Sequence, residues 1–179
     1  MNVPERYRLA VVAASSLILV VIVAGTILLL NRPGPTPVVS PSPTATPSRS
    51  LDVTTPEGAV RAFFDALGSA RRTDDASVLE GLVTSKDSSA YLTAAGFLDG
   101  QRTVGKASVL TVNDITNVSV VVDGSRATVT FLHRQVGYDI DLKTGQPRES
   151  PTALPVASVQ AVVVQSGGRW LVDSFENVP

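Results

Sequence analysis

Apolar and polar positions change rhythm three times along the chain. From Leu9 to Leu30 the sequence reads LAVVAASSLILVVIVAGTILLL, with no ionisable residue. As a helix at about 1.5 Å per residue it reaches roughly 33 Å, enough to cross a hydrocarbon core of about 30 Å. A core helix would show a polar face, and a secretory signal has a shorter apolar region ending in small residues. This run ends Ile27-Leu28-Leu29-Leu30. The pattern predicts a transmembrane helix at 9–30. Residues 31–50, NRPGPTPVVSPSPTATPSRS, have no helical or strand period. Repeated proline removes backbone donors and fixes φ, so this stretch is expected to be a disordered linker that stands as an extended stalk.

From residue 51 the helical period returns. Thr54 with Glu57 fits a capping box, and Thr55 with Pro56 fits a cap followed by proline at the first helical position. Val60, Phe63, Phe64 and Leu67 then form one stripe, and Gly68 is expected to stop the helix. A shorter helix is expected after Asp74 or Asp75, burying Val78, Leu79, Leu82 and Val83. A third is expected from Ser85 to Asp99, with Tyr91, Leu92, Ala95 and Leu98 on one face and Gly100 as its stop.

After Ala107 the pattern becomes that of strands: 109–112, 118–122 and 126–136, the last extended by the alternating Tyr138-Asp139-Ile140-Asp141-Leu142. Asp123-Gly124 between two Val/Thr-rich runs predicts a hairpin. Proline and glycine make 143–155 a loop. Strands at 156–164 and 170–175 follow, turned by Ser166-Gly167-Gly168. Helices followed by a run of antiparallel strands predict an α+β domain over 51–179, a curved sheet with about three helices on its concave face.

Charge orients this plan. Arg6, Arg8, Arg32 and Arg49 face only Glu5 in the first 50 residues, whereas acidic side chains outnumber basic ones beyond them. Arg6 and Arg8 before the span favour a cytoplasmic tail at 1–8, a single pass through the plasma membrane at 9–30, and an extracytoplasmic domain at 51–179. The lipid bilayer is then the partner of 9–30. A mildly acidic domain disfavours nucleic acid. The chain has no cysteine and one histidine, which excludes disulfides, thiol nucleophiles and Cys- or His-rich metal clusters; no cofactor is expected. Phosphate-binding glycine loops and serine elbows are absent. Asn117-Val118-Ser119 fits a glycosylation sequon but lies in a predicted strand, so it is read as chance.

The segments Thr55-Pro56-Glu57-Gly58-Ala59-Val60-Arg61-Ala62-Phe63-Phe64-Asp65-Ala66-Leu67, the hairpin around Asp123-Gly124 and the end Gly167-Gly168-Arg169-Trp170-Leu171-Val172-Asp173-Ser174-Phe175 together resemble the NTF2-like (SnoaL-like) cone-shaped α+β superfamily. The resemblance covers most of 54–175. It implies a fold that hosts enzymes, binding modules and assembly subunits alike. With the anchor it also resembles the layout of bacterial VirB8-like and TcpC-like secretion or conjugation components.

Enzymes of the superfamily resembling ketosteroid isomerase use a pocket carboxylate with Tyr or His, acting on small apolar molecules. The residues able to supply such chemistry are Asp65, Tyr91, His133, Tyr138, Asp139 and Asp141, and no catalytic motif singles any out. His133, Tyr138 and Asp139 are the candidates for a catalytic site. Each has a simpler reading: His133 at the sheet rim, Asp139 and Asp141 on a wet strand face, Tyr91 in the helix core, Asp65 in water. Trp170 reads as a core anchor. The expected function is a non-catalytic binding or assembly module, with envelope partners or self-association through 51–179. The alternatives are a tethered enzyme of the SnoaL/ketosteroid-isomerase type and a VirB8/TcpC-like subunit. Core filling discriminates: Phe63, Phe64, Phe131 and Trp170 closing the cone would favour binding.

Overall fold

The computed structural model describes residues 52–179. The predicted tail, span and linker at 1–8, 9–30 and 31–50 lie outside them. No helix among the described residues is long and apolar enough to cross a membrane.

Helix α1 spans Pro56–Thr73. Of the two caps the sequence allows, Thr55 is used: its Oγ1 accepts from the Gly58 N–H at 3.1 Å. Thr54 instead donates its hydroxyl to Asp52 Oδ1 at 2.6 Å. Gly68 does not stop the helix. The stop comes at Asp74, in the left-handed conformation at φ 55°, with the Asp75 N–H reaching back to the Ala70 carbonyl at 3.2 Å. The added turn buries Ala70 and carries Arg71, which outweighs the roughly 1 kcal/mol that a mid-helix glycine costs.

The expected second helix is a single 3₁₀ turn, Ala76–Leu79, capped by Asp75. Leu79, Leu82 and Val83 are buried as expected, but Val78 is 43% exposed. The backbone after this turn is claimed by the sheet: Val172 N–H donates to the Leu82 carbonyl at 2.8 Å and Thr84 N–H to the Val172 carbonyl at 3.1 Å. Pairing of these groups with the sheet leaves none for a longer helix, so the described residues hold two α-helices where three were expected. Helix α2 is Ser89–Thr103, capped by Ser88. It passes through Gly96 and Gly100, and the left-handed glycine beyond its end is Gly105. Its buried face is Ala90, Ala94, Leu98 and Gln101, while Leu92 of the expected stripe is 57% exposed.

Five strands follow: β1 Lys106–Asp123, β2 Arg126–Asp141, β3 Thr152–Ala153, β4 Ala157–Ser166 and β5 Arg169–Val178. They make a curved antiparallel sheet in the order β1-β2-β4-β5, with β3 paired to β2. The two short strands expected at 109–112 and 118–122 are one long strand. Register shifts at Leu110/Val112 and Thr116/Ser119, with Asn117 at φ 53°, absorb the irregular residues. The Asp123-Gly124 hairpin forms as expected, Asp123 facing Arg126. The 143–155 loop contains the two-residue β3.

One buried face holds Ala127, Val129 and Phe131 from β2, Val159, Ala161 and Val163 from β4, and Trp170 and Val172 from β5. Phe63 and Phe64 of α1 pack into it, with Phe64 edge-on to Phe131 at 5.2 Å between ring centres. The four aromatic side chains named above as cone fillers all belong to this core, Trp170 among them as the anchor. The two long edges differ. Outer edge β5 is covered at Trp170–Val172 by residues 82–84 and by Val53, whose carbonyl accepts from Trp170 N–H at 2.8 Å. The outer edge of β1 has no strand partner among the described residues.

Candidate functional site

The aromatic core closes only part of the concave face. Between α2 and the early part of β1 with the late part of β2 lies an open cavity of about 600 Å³. Four elements build it. Gly96 and Gly100, one helical turn apart on α2, present no side chain to it; a Cβ at either would meet nothing within 4 Å. Phe97 and Gln101 line it from the same helix, Leu110 and Ser108 from β1, Gly137, Tyr138 and Asp139 from β2, and Leu154 from beyond β3. The last turn of α1 supplies Arg71.

Of the three sequence candidates, Tyr138 and Asp139 line this cavity and His133 does not. Asp139 is not on a purely wet face. It lies opposite Ser108, whose hydroxyl donates to Asp139 Oδ1 at 2.7 Å, while Lys106 Nζ donates to Oδ2 at 2.6 Å. Burial alone pushes this carboxyl up, but the bonds from Lys106 and Ser108, with the charges of Lys106 and Arg148, outweigh it and hold the pKa below the ordinary value. Gln101 continues the chain by donating its amide to Ser108. The Gln101 Oε1 is buried without a partner.

His133 is 7% exposed and lies behind the cavity, on the face that carries Val129 and Phe131. Its rim reading is therefore corrected: burial of alternate residues on β2 continues through it. Its Nε2 lies 2.8 Å from Asn113 Oδ1. The Asn113 amide donates to the Phe64 carbonyl at 2.9 Å, which leaves Oδ1 as acceptor and Nε2 as the protonated nitrogen. Phe64 stands edge-on to the imidazole at 4.8 Å. Burial first, and then the charge of Arg71, lower its pKa from 6.5 to about 4. The ring is neutral at pH 7.

The other candidates scatter. Asp141 shapes the 141–146 turn, accepting from the Lys143 and Thr144 amides at 3.0 Å and from Arg148 at 2.8 Å. The Arg148 bond, then those turn amides, bring its pKa to about 2. Asp65 lines a smaller recess of about 170 Å³ with Arg61 and Asn113. Tyr91 packs, partly buried, against the core.

The sequence reading missed Arg71. Its guanidinium lies over the Phe97 ring at 4.4 Å, and its Nε is buried with no hydrogen-bond partner. The one sequence signal for the cavity was Gly96 and Gly100 at helical spacing inside helix α2. Among the described residues no group of three or more acidic or imidazole side chains is arranged to hold a metal ion.

No protein-family profile matches the sequence, and no curated protein matches it. Solved structures do match. One is the intermembrane space region of the chloroplast protein ARC6, at 17% identity and a TM-score of 0.54, covering 71% of this chain and 96% of that one. Shared fold is what that likeness shows. Proteins described as NTF2-like are among the matches at lower TM-scores. One from Novosphingobium aromaticivorans, with a cystatin-like fold, gives 16% identity and 0.43 over 68% of this chain and 79% of that one. Another from Streptomyces avermitilis gives 14% and 0.46 over 70% and 98%.

Proposed function

We propose that the chain is a single-pass plasma-membrane protein whose external domain holds a small molecule without transforming it. Residues 1–8 face the cytoplasm, 9–30 cross the bilayer, 31–50 form the stalk and 51–179 form the NTF2-like binding domain. The observation that carries this reading is the cavity beneath α2. Its volume lies within the roughly 300–1,000 Å³ of small-molecule sites, with apolar walls and a few polar groups.

Binding without chemistry is supported by how two of the three sequence candidates, His133 and Asp139, are engaged. A general base must reach the proton it removes. His133 is turned to Asn113 behind the cavity, and both Asp139 oxygens accept bonds from Ser108 and Lys106. Equilibrium dialysis of the full chain in lipid discs, with empty discs subtracted, tests the reading with the neutral probe 2-naphthylmethanol. Saturable binding is expected, and Gly100→Leu, which fills the cavity from α2, should abolish it. Equal binding by the variant would sink the proposal.

Assembly is a second reading, favoured by one observation. The outer edge of β1 has no strand partner among the described residues, and Val120, Val121 and Val122 near its end are exposed. Crosslinking in the membrane followed by mass spectrometry should then capture envelope proteins, or a second copy, through this strand; a VirB8/TcpC-like subunit would give the first result.

A further inference from the structure

Among the described residues Arg71 is a cation with no carboxylate paired to it. Arg61, Arg102, Arg126, Arg134 and Arg148 each pair with a carboxylate, and Arg169 donates to the Gly81 carbonyl. Arg72 is exposed to water. Arg71 is half-buried, and among the described residues its buried Nε has no acceptor. A buried donor left without a partner is destabilising, and more so when it is charged. Such a group persists where something outside the chain completes it. Three further observations point the same way. The side chain lines the cavity, its plane is braced over Phe97, and no carboxylate among the described residues is within ion-pairing distance.

The cavity's charges say what completes it. Lys106 and Asp139 neutralise each other across 2.6 Å. Glu149 stands at the cavity in an exposed loop, its carboxylate near the Asp139 N–H at 3.4 Å. With Glu149 counted, the charged side chains that line the cavity sum to zero, and Arg71 is the cation among them that no lining carboxylate engages. A singly charged anion at Arg71 leaves a smaller net negative charge beside Asp139 and Glu149 than a doubly charged one would. The apolar remainder is Phe97, Leu110, Leu154 and the open faces of Gly96 and Gly100.

We propose that Arg71 is the anion-recognition residue of this cavity and that its ligand is a monocarboxylate with an apolar body. A planar carboxylate matches the guanidinium fork and accepts two parallel bonds from it. The proposal rests on the ligand-holding reading above and names the class of ligand.

The test compares three probes that share one ring system, by equilibrium dialysis on the full chain in lipid discs: 2-naphthoate, neutral 2-naphthylmethanol and 2-naphthyl phosphate. The wild-type chain should bind naphthoate about tenfold or more tightly than the alcohol, the ratio one charge-assisted pair supplies. The phosphate should bind more weakly than naphthoate. Arg71→Met should erase the preference, so that the variant binds naphthoate no more tightly than it binds the alcohol. Equal wild-type affinities for naphthoate and alcohol would overturn the anion site while the cavity reading stands. Tighter binding of the phosphate would overturn the monocarboxylate. Binding of none of the three would remove the cavity reading and this proposal together. The wild-type comparison needs no variant, so a poorly folded Arg71→Met leaves the decision intact.

Discussion

His133 is enclosed by apolar rings on one side and tied to an amide on the other, and the two together fix its charge. Its pKa in the folded domain is about 4 against an ordinary 6.5, through burial first and the nearby Arg71 second. Between those values the unfolded chain binds a proton that the folded chain refuses. The stability that neutral His133 supplies is therefore complete above about pH 6.5 and is lost as pH falls toward 4. A shift of this size corresponds to about 3 kcal/mol, to order of magnitude. The urea midpoint should fall across that window, and His133→Gln should flatten the fall. An unchanged slope in the variant would assign the acid sensitivity to other groups. Sequence reading could place this histidine on the strand face of Val129 and Phe131. It could not find Asn113, because the partner comes from β1 across a register shift that no spacing rule reveals.

Elements were legible where a local signal starts them and illegible where tertiary contacts end them. Thr55-Pro56 marks the start of α1 because capping is local. Gly68 and Gly100 look like stops because an apolar stripe runs out there. The structure ends the helices at Asp74 and Val104 instead, after turns whose value lies in Arg71 and in the buried Gln101. The short helix expected after Asp75 failed for a related reason: its apolar residues bury equally well beside β5, and the strand's free edge takes their backbone. Long β1 read as two strands because a bulge resets the alternation. Opposite its first register shift, Gly137 faces Leu110, and a Cβ there would lie 2.6 Å from the Val109 carbonyl oxygen. Backbone cannot yield as a flexible side chain can. Gly137→Ala is expected to cost about 1–3 kcal/mol in urea unfolding at pH 7. A midpoint equal to wild type would mean that β1 shifts freely.

For the whole molecule, the α+β class and the antiparallel sheet followed from the order of periods, and the likeness to the ARC6 region agrees with that fold. The cavity was not legible, since it depends on how far α2 stands from a sheet whose curvature is set by bulges. Orientation across a membrane is testable because the chain has no cysteine. Lys143→Cys places a single thiol in an exposed turn. A membrane-impermeant maleimide should label it on intact cells under the proposed topology. Labelling only after lysis would invert the topology.

The unequal edges of the sheet set a limit on how copies can join strand to strand. Bare edges are templates for pairing with another chain. A sheet open on both sides can grow without end, each newcomer offering the next place. Here residues 82–84 and Val53 close the Trp170–Val172 stretch of β5, whereas β1 has no strand partner among the described residues. Two chains meeting β1 to β1 would use up both of these long openings. Such a contact is two-fold and self-complementary, so joining along β1 favours a closed pair over an open chain.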